Sequence, residues 1–139
     1  MKNSKIIIIA LCVLASLRFT AQKIEDASYR TLGYINDNGK VEDASYRTLG
    51  YINTNGKVED ASYRTLGYIN ANGKIEDASY KTLGYYNTSG KVEDASYRTL
   101  GYVKDGKVED ASYRTLGHYN KNVSDKNAAA AMFFFFFVK

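Results

Sequence analysis

The sequence predicts an all-β protein, a closed and shallow up-and-down barrel with internal symmetry, and three observations lead to this fold class. A unit of 17 residues recurs, as in the segment 40–56 with the sequence KVEDASYRTLGYINTNG. Each copy groups its β-branched and aromatic residues into two short runs bounded by turn residues, which predicts two strands per copy. Proline is absent, so no strand ladder is interrupted. We therefore expect about six hairpins and about 12 strands.

The first segment, residues 1–21, has the features of a secretory signal peptide. Lys2 and Lys5 precede an apolar run from Ile6 to Leu17, and Ala21 is a small residue at the expected cleavage point. The run is shorter than the roughly 20 residues that a membrane-spanning helix needs. We expect a protein that is secreted or periplasmic, and that is not transmembrane after cleavage.

Loss of this segment also changes the charge of the chain. Three of the 19 basic residues and none of the 15 acidic residues lie in it, so the mature chain is nearly neutral. No nucleic-acid partner is therefore predicted. The single cysteine, Cys12, lies there as well. The mature domain must hold itself together by packing and backbone pairing.

The barrel domain is expected to cover residues 22–121. Its copies begin at a lysine each time: Lys23, Lys40, Lys57, Lys74, Lys91 and Lys107.

The loop lengths predict the register of the strands. In the long copies a three-residue loop sets Ile52 opposite Val58, and in the one short copy a two-residue loop sets Val103 opposite Val108. Both loops therefore keep an apolar pair face to face, as the period of two along a strand requires.

Across the other turn, with the sequence ASYR, simple alternation sets Val41 opposite Gly50, Glu42 opposite Leu49, and Asp43 opposite Thr48. The face expected to point inward carries the β-branched residues and the glycine: Val41, Asp43, Thr48, Gly50 and Ile52. The face expected to point outward carries Lys40, Glu42, Leu49 and Tyr51.

Such a sheet either closes or leaves two exposed edges, and closure removes the edges. The first strand, Lys23 to Asp26, is expected to pair with the last strand, Thr115 to Asn120. The alternative is an open β-repeat sheet or solenoid. A barrel of 12 strands is wider than the eight-stranded kind that side chains can fill, so something must occupy its middle.

Residues 122–139 form a linker and an apolar segment, which is the candidate for the centre. Four alanines and Met132 are followed by five phenylalanines. A segment that is apolar on every side favours burial on every side. Alanine favours a helix and phenylalanine favours a strand, so we expect either a central helix or a last strand.

The expected lining of an apolar channel combines inward strand residues with this tail. It consists of Ile35, Val41, Ile52, Val58, Ile69, Ile75, Val92, Val103, Val108, Phe133, Phe134, Phe135, Phe136 and Phe137.

The signal peptide, the tandem VEDASYRTLGYIN units with their NG turns and the Phe-rich end together resemble the β-flower proteins of bacteria. The resemblance implies a shallow, symmetric β-barrel of repeated hairpins around an apolar channel, and it brings no catalytic residues. That family is described as five-fold, whereas this chain has six copies of EDASY and five internal NG-type turns. The similar barrel of the Tubby C-terminal domain and the phospholipid scramblases carries a central apolar helix.

Repeated polar residues suggest chemistry, and each has a structural interpretation that we favour. The Glu-Asp pairs, such as Glu42 and Asp43, could ring a Ca²⁺ ion, but Arg47 follows the aspartate by four residues, which predicts a local ion pair or turn cap. The tyrosines could stack on a ligand, but cross-strand packing is favoured. His118 replaces a tyrosine, and the mature chain has no second histidine and no cysteine with which it could bind zinc. No cofactor or metal is predicted.

The expected function is that of a non-enzymatic exported β-barrel that binds a lipid-like or other apolar ligand, or an envelope partner. Near-identical copies disfavour an enzyme, because a general acid and a general base need different environments. The alternative is an extracellular, multivalent interaction module that uses the repeated tyrosines and charged surface residues.

Overall fold

A computed structural model describes residues 21–137 of the chain. The predicted signal peptide lies outside the described residues, apart from Ala21, which begins the first strand. The strands are β1 (Ala21–Asp26), β2 (Thr31–Asn36), β3 (Lys40–Asp43), β4 (Thr48–Ile52), β5 (Lys57–Asp60), β6 (Thr65–Ile69), β7 (Lys74–Asp77), β8 (Thr82–Tyr86), β9 (Lys91–Asp94), β10 (Thr99–Lys104), β11 (Lys107–Asp110) and β12 (Thr115–Tyr119). They are followed by helix α1 (Asp125–Ala131) and a π-helical segment (Met132–Phe136).

The strands form a closed antiparallel barrel in which each strand pairs with its neighbours in the sequence. The ring closes between β1 and β12, where Ile24 lies opposite Tyr119. The predicted closed barrel of six hairpins is confirmed, and the alternative of an open sheet or solenoid is wrong. Closure leaves no free edge among the strands of residues 21–137 along which another chain could pair.

The long turns have the predicted register. Ile52 lies opposite Val58, and in the short copy Val103 lies opposite Val108. The turn closes through the Gly56 N–H, which donates to the Asn53 carbonyl at 2.9 Å. Gly56 has a φ of +89°, a left-handed conformation that glycine adopts without steric cost.

The short turns use the same hydrogen bonds with a tyrosine in the position of the glycine. The Tyr63 N–H donates to the Asp60 carbonyl at 3.0 Å, and the Asp60 N–H donates to the Arg64 carbonyl at 2.9 Å. Tyr63 has a φ of +64°, and the corresponding tyrosine of every other copy has nearly the same value. A left-handed backbone is rare and costly for a residue with a bulky side chain.

The register that we predicted beyond the short turn is partly wrong. Val41 lies opposite Gly50 as expected, but Glu42 lies opposite Thr48, because a β-bulge leaves Leu49 without a partner. The extra residue shifts the alternation of inward and outward side chains. Leu49 therefore packs against the buried core instead of facing outward, and Thr48 shares the outer face with Glu42.

Helix α1 runs inside the barrel, since it contacts both β4 and β10, which lie on opposite sides of the ring. Ser124 caps the start of the helix, and its Oγ accepts a hydrogen bond from the Asn127 N–H at 3.1 Å. Of the two forms expected for the tail, the central helix is confirmed and the last strand is wrong.

The chain enters the barrel through an incomplete copy of the long turn. The Asn120 N–H donates to the Lys23 carbonyl at 3.1 Å, and the Val123 N–H donates to the Asn120 carbonyl at 2.9 Å, as in the other turns. Val123 stands where those turns have glycine, and it is buried. The chain then turns inward and continues as α1 instead of forming another strand.

Candidate functional site

The channel has two levels that differ in the size of the side chains. Near the long turns, inward side chains meet in cross-strand pairs such as Ile52 and Val58. The nine strand residues that we predicted for the lining are all at this level, and each is at most 6% exposed. They surround Ala128–Ala131, which are 0–1% exposed. Large wall residues and small helix residues are complementary, which explains the alanine run.

The next level, toward the short turns, reverses this arrangement. Gly50, opposite Asp60, belongs to a ring of six inward glycines, one in each hairpin. Five of them face a phenylalanine ring of the tail, so that a β-carbon at Gly50 would lie 2.8 Å from Cζ of Phe135. The pairs are Gly84 with Phe133, Gly67 with Phe134, Gly50 with Phe135, Gly33 with Phe136, and Gly117 with Phe137.

The five phenylalanines reach successive hairpins because they follow one another in a π-helical turn. The Phe137 N–H donates to the Met132 carbonyl at 2.9 Å, a bond from residue i to residue i+5. Five consecutive side chains therefore fan out within about one turn of the helix. The first two rings, Phe133 and Phe134, meet edge to face with centroids 5.6 Å apart. All five rings are partly exposed at the mouth of the barrel.

The sixth glycine, Gly101, differs from the others. The three atoms nearest to a β-carbon at Gly101 all belong to the backbone of Glu109 and Asp110. An apolar pocket of about 260 Å³ lies here, and Phe133 and Phe137 form part of its lining. Because five rings are distributed among six hairpins, the hairpin of Gly101 is the one without a ring.

The leucines next to the glycines also distinguish this sector, by which we mean the part of the mouth formed by one hairpin. Leu100 and Leu116 line the pocket and are 38% and 37% exposed. The four other leucines at this position are only partly exposed and pack against the core: Leu32, Leu49, Leu66 and Leu83. Leu100 belongs to the hairpin of Gly101 and Leu116 to the adjacent hairpin of Gly117, so apolar wall is open to solvent at and beside the hairpin that has no phenyl ring.

Several residues of the channel were missed in the sequence analysis. Ile24, Tyr86 and Tyr119 take the position of the predicted isoleucines and valines, and the repeat alignment alone could have identified them. The inward leucines were placed outside because the β-bulge has no signal that we recognised in the sequence. The contact of each glycine with a phenyl ring depends on the path of the tail and could not be foreseen.

The opposite mouth, near the long turns, is polar. The Tyr119 hydroxyl donates to Oδ1 of Asp125 at 2.6 Å, and burial, followed by this hydrogen bond, raises the pKa of Tyr119. Burial also raises the pKa of Tyr86, with a smaller contribution from the charge of Asp125. A pocket of about 500 Å³ lies between the start of α1 and two neighbouring long turns, and Tyr86, Asp125 and Lys126 form part of its lining.

The repeated aspartates are engaged in hydrogen bonds and ion pairs at the short turns, at the rim of the barrel. Oδ1 of Asp60 accepts from the backbone N–H groups of Ser62 and Arg64, and its Oδ2 accepts from Arg64 Nε at 2.8 Å. The backbone N–H of Arg64 is the main cause that lowers the pKa of Asp60. The predicted ion pair and turn cap are both present.

The glutamates are held in a similar way by their neighbours. Oε1 of Glu76 lies 2.9 Å from Nζ of Lys74, and its Oε2 accepts from the amide of Asn70 at 3.2 Å. The contact with Lys74 lowers the pKa of Glu76 and raises that of Lys74. Within residues 21–137 no group of three His, Cys, Asp or Glu side chains is placed to hold a metal ion.

Six pairs of stacked aromatic rings surround the outside of the barrel. Tyr63 stacks on Tyr51 with ring centroids 4.8 Å apart and planes 10° apart, and four other pairs of tyrosines repeat this contact. The sixth pair joins Tyr29 and His118 at 4.2 Å across the seam between β1 and β12. His118 therefore acts as the aromatic partner that closes the ring of stacks.

Among the described residues, neither helical segment is long and apolar enough to cross a bilayer. A family model described as "5-fold beta-flower protein" matches residues 21–137. Searches of curated proteins and of solved structures return no match.

Proposed function

This chain belongs to the β-flower family, and on that premise we propose that it is a non-catalytic, exported barrel that binds an apolar small molecule beside its own phenylalanine tail. The bound molecule would sit at the mouth near the short turns. A role as a carrier or sensor of an apolar compound outside the cytoplasm would fit such a site.

The observation that carries the proposal is the apolar pocket at Gly101. Soluble proteins seldom leave apolar wall open without a reason, and the pocket combines Leu100 and Leu116, both more than a third exposed, with the rings of Phe133 and Phe137. Concave apolar sites of this kind are the usual location for small ligands. The tail fills the rest of the channel, so the ligand would bind at the tail and not in place of it.

We propose that the protein is not catalytic because its repeated carboxylates already have structural partners. The aspartates cap their own turns, and the glutamates bind neighbouring lysine or asparagine side chains. The aspartate caps recur in all six repeats and the glutamate contacts in most of them, so the repeats give similar environments and no matched acid and base. Export is proposed on the apolar leader of residues 1–21, which has the features of a signal peptide.

A second candidate function is multivalent binding on the outer surface, and one observation favours it. The six tyrosines of the short turns are 62–65% exposed and are spaced regularly around the barrel. Their rings could stack on a repeating partner such as a polysaccharide. Each ring already has a stacked neighbour, however, so at most one of its faces remains for a partner.

The test is to express the full-length chain with its own leader in a bacterium, purify it from the envelope fraction, and record native mass spectra. The proposal predicts a mature mass that begins near residue 22 and a co-purifying apolar molecule that organic solvent extracts. A protein that stays in the cytoplasm would contradict export. A bare mass from the envelope, together with no uptake of any apolar probe, would contradict ligand binding.

A further inference from the structure

We propose that the pocket at Gly101 binds a phenyl ring, so that its ligand is a neutral apolar molecule that carries one such ring. The inference rests on the proposed function and specifies the ligand class and the position of the site. It follows from the five sectors that already contain a phenyl ring of the tail, because each of them shows an inward glycine in contact with such a ring.

The occupied sectors act as templates. At Gly33, Gly50, Gly67 and Gly117, a β-carbon would lie 2.8–2.9 Å from an atom of a phenyl ring, so each ring lies directly on the glycine backbone. The hairpin of Gly101 has the same TLGY and KVED strand sequences and the same inward glycine, although its long turn is one residue shorter. A phenyl ring is therefore the group that this wall is shaped to contact.

The neighbours of the empty sector also favour an aromatic ring. Gly84 and Gly117, on the adjacent hairpins, hold the rings of Phe133 and Phe137, and both of these rings line the pocket. A ring bound at Gly101 would complete the circle and have an aromatic neighbour on each side. Edge-to-face contacts of this kind stabilise aromatic pairs beyond the burial of area.

The size of the pocket agrees with one ring. Its volume is about 260 Å³, whereas an apolar cavity of about 150 Å³ is enough to bind benzene in an engineered protein. The pocket therefore has space for a ring and a short substituent. It is smaller than the roughly 300–1,000 Å³ of sites that enclose drug-sized ligands.

The tail does not supply this ring because a methionine stands where a sixth phenylalanine would be. The phenylalanines advance by one sector per residue, from Gly84 for Phe133 onward. One step back from Phe133 leads to the sector of Gly101, and Met132 is the residue at that step. Met132 lines the pocket and is only 3% exposed, so its flexible side chain forms the inner wall.

The experiment uses toluene as the probe and the mature chain labelled with ¹³C at the methionine methyl groups. The chain has two methionines, Met1 and Met132, and the first belongs to the leader, so one signal reports on the pocket. Toluene should shift this signal by its ring current and bind with a stoichiometry near one. Hexane serves as the matched apolar probe without a ring and should bind more weakly.

Two variants test whether toluene binds in the sector of Gly101. Met132→Phe supplies a sixth ring and should weaken toluene binding by roughly tenfold or more, since it fills the space. Its affinity is measured by calorimetry, as for the parent chain, because the variant has no labelled methionine. Because that variant could fold poorly, Leu100→Phe narrows the same pocket from its exposed rim and should have the same effect. In contrast, Phe135→Ala opens the sector of Gly50 and should raise the stoichiometry of toluene toward two.

The outcomes separate this inference from the proposed function. If the protein from the envelope carries an apolar molecule but toluene leaves the Met132 signal unchanged, the site assignment is wrong and the function stands. If toluene binds in the pocket but the protein stays in the cytoplasm, the site assignment is correct and the proposed exported function is wrong. Equal or tighter binding of hexane would overturn the preference for an aromatic ring.

Discussion

Replacing Tyr63 by glycine should leave the barrel more stable than replacing it by alanine, the reverse of the usual order. Both variants lose the stack on Tyr51, so that contact cancels in the comparison. What differs is the backbone, because Tyr63 has a φ of +64°. A left-handed conformation costs a residue with a β-carbon about 1–2 kcal/mol and costs glycine almost nothing.

The expected difference follows from two opposing effects. Glycine has a more flexible unfolded chain, which normally favours alanine by about 0.4–1 kcal/mol. Subtracting this from the cost of the left-handed backbone leaves Tyr63→Gly more stable than Tyr63→Ala by about 1 kcal/mol. For a chain of this length that corresponds to a difference of about 4 °C in Tm.

The assay is urea unfolding of the mature chain, followed by circular dichroism and analysed for the free energy of unfolding. The control is the neighbouring residue Ser62, which lies in the same turn and is not among the residues with a positive φ. There, Ser62→Ala should be more stable than Ser62→Gly, in the usual order. If Tyr63→Ala is as stable as Tyr63→Gly, the left-handed tyrosines are not strained and the reasoning fails.

Two further predictions concern acid and the glycine ring. Five aspartates have a pKa below the value of about 3.9 for the unfolded chain: Asp26, Asp43, Asp60, Asp94 and Asp110. Their ionised side chains therefore stabilise the folded state fully above that pH. This stabilisation is lost as the pH falls through the lower pKa values of the folded state. Thermal unfolding between pH 5 and pH 2 should show this loss as a fall in Tm, and Asp60→Asn should make the fall in Tm with pH less steep. Gly67→Ala should destabilise the barrel by about 2 kcal/mol or more, because the new methyl group meets the Glu76 carbonyl and the ring of Phe134. A loss below about 0.5 kcal/mol in urea unfolding would show that the wall can move aside.

Local chemistry in the repeat explains what was predictable about the barrel. The one-residue difference between the long loop and the Asp-Gly loop at 105–106 determines that Ile52 meets Val58 and that Val103 meets Val108. Short strands joined by tight turns must pair with their neighbours, and a sheet with no special edge strands favours closure. The link between Asp60 and Arg64 is also local, since it spans four residues.

The β-bulge was not predictable in this way. Leu49 either pairs across the strands, which keeps the regular alternation of inward and outward side chains, or becomes the extra residue of a bulge, which buries its side chain against the core. That competition is decided by the inside of the closed ring, which one repeat alone does not contain. The same limit applies to the left-handed tyrosines, whose conformation is stabilised by rings on an adjacent hairpin.

The repeat pattern was enough to predict the strands, most of the turns and their register, to favour a closed barrel, and to predict that the apolar tail is buried. Three features depend on packing inside the closed barrel: the tail is helical, each of its five phenyl rings lies on a glycine of a different hairpin, and the hairpin of Gly101 has no ring. The reason is that the period of the repeat and the length of the phenylalanine run are separate properties of the chain. Their mismatch becomes a pocket only when six hairpins close around five rings.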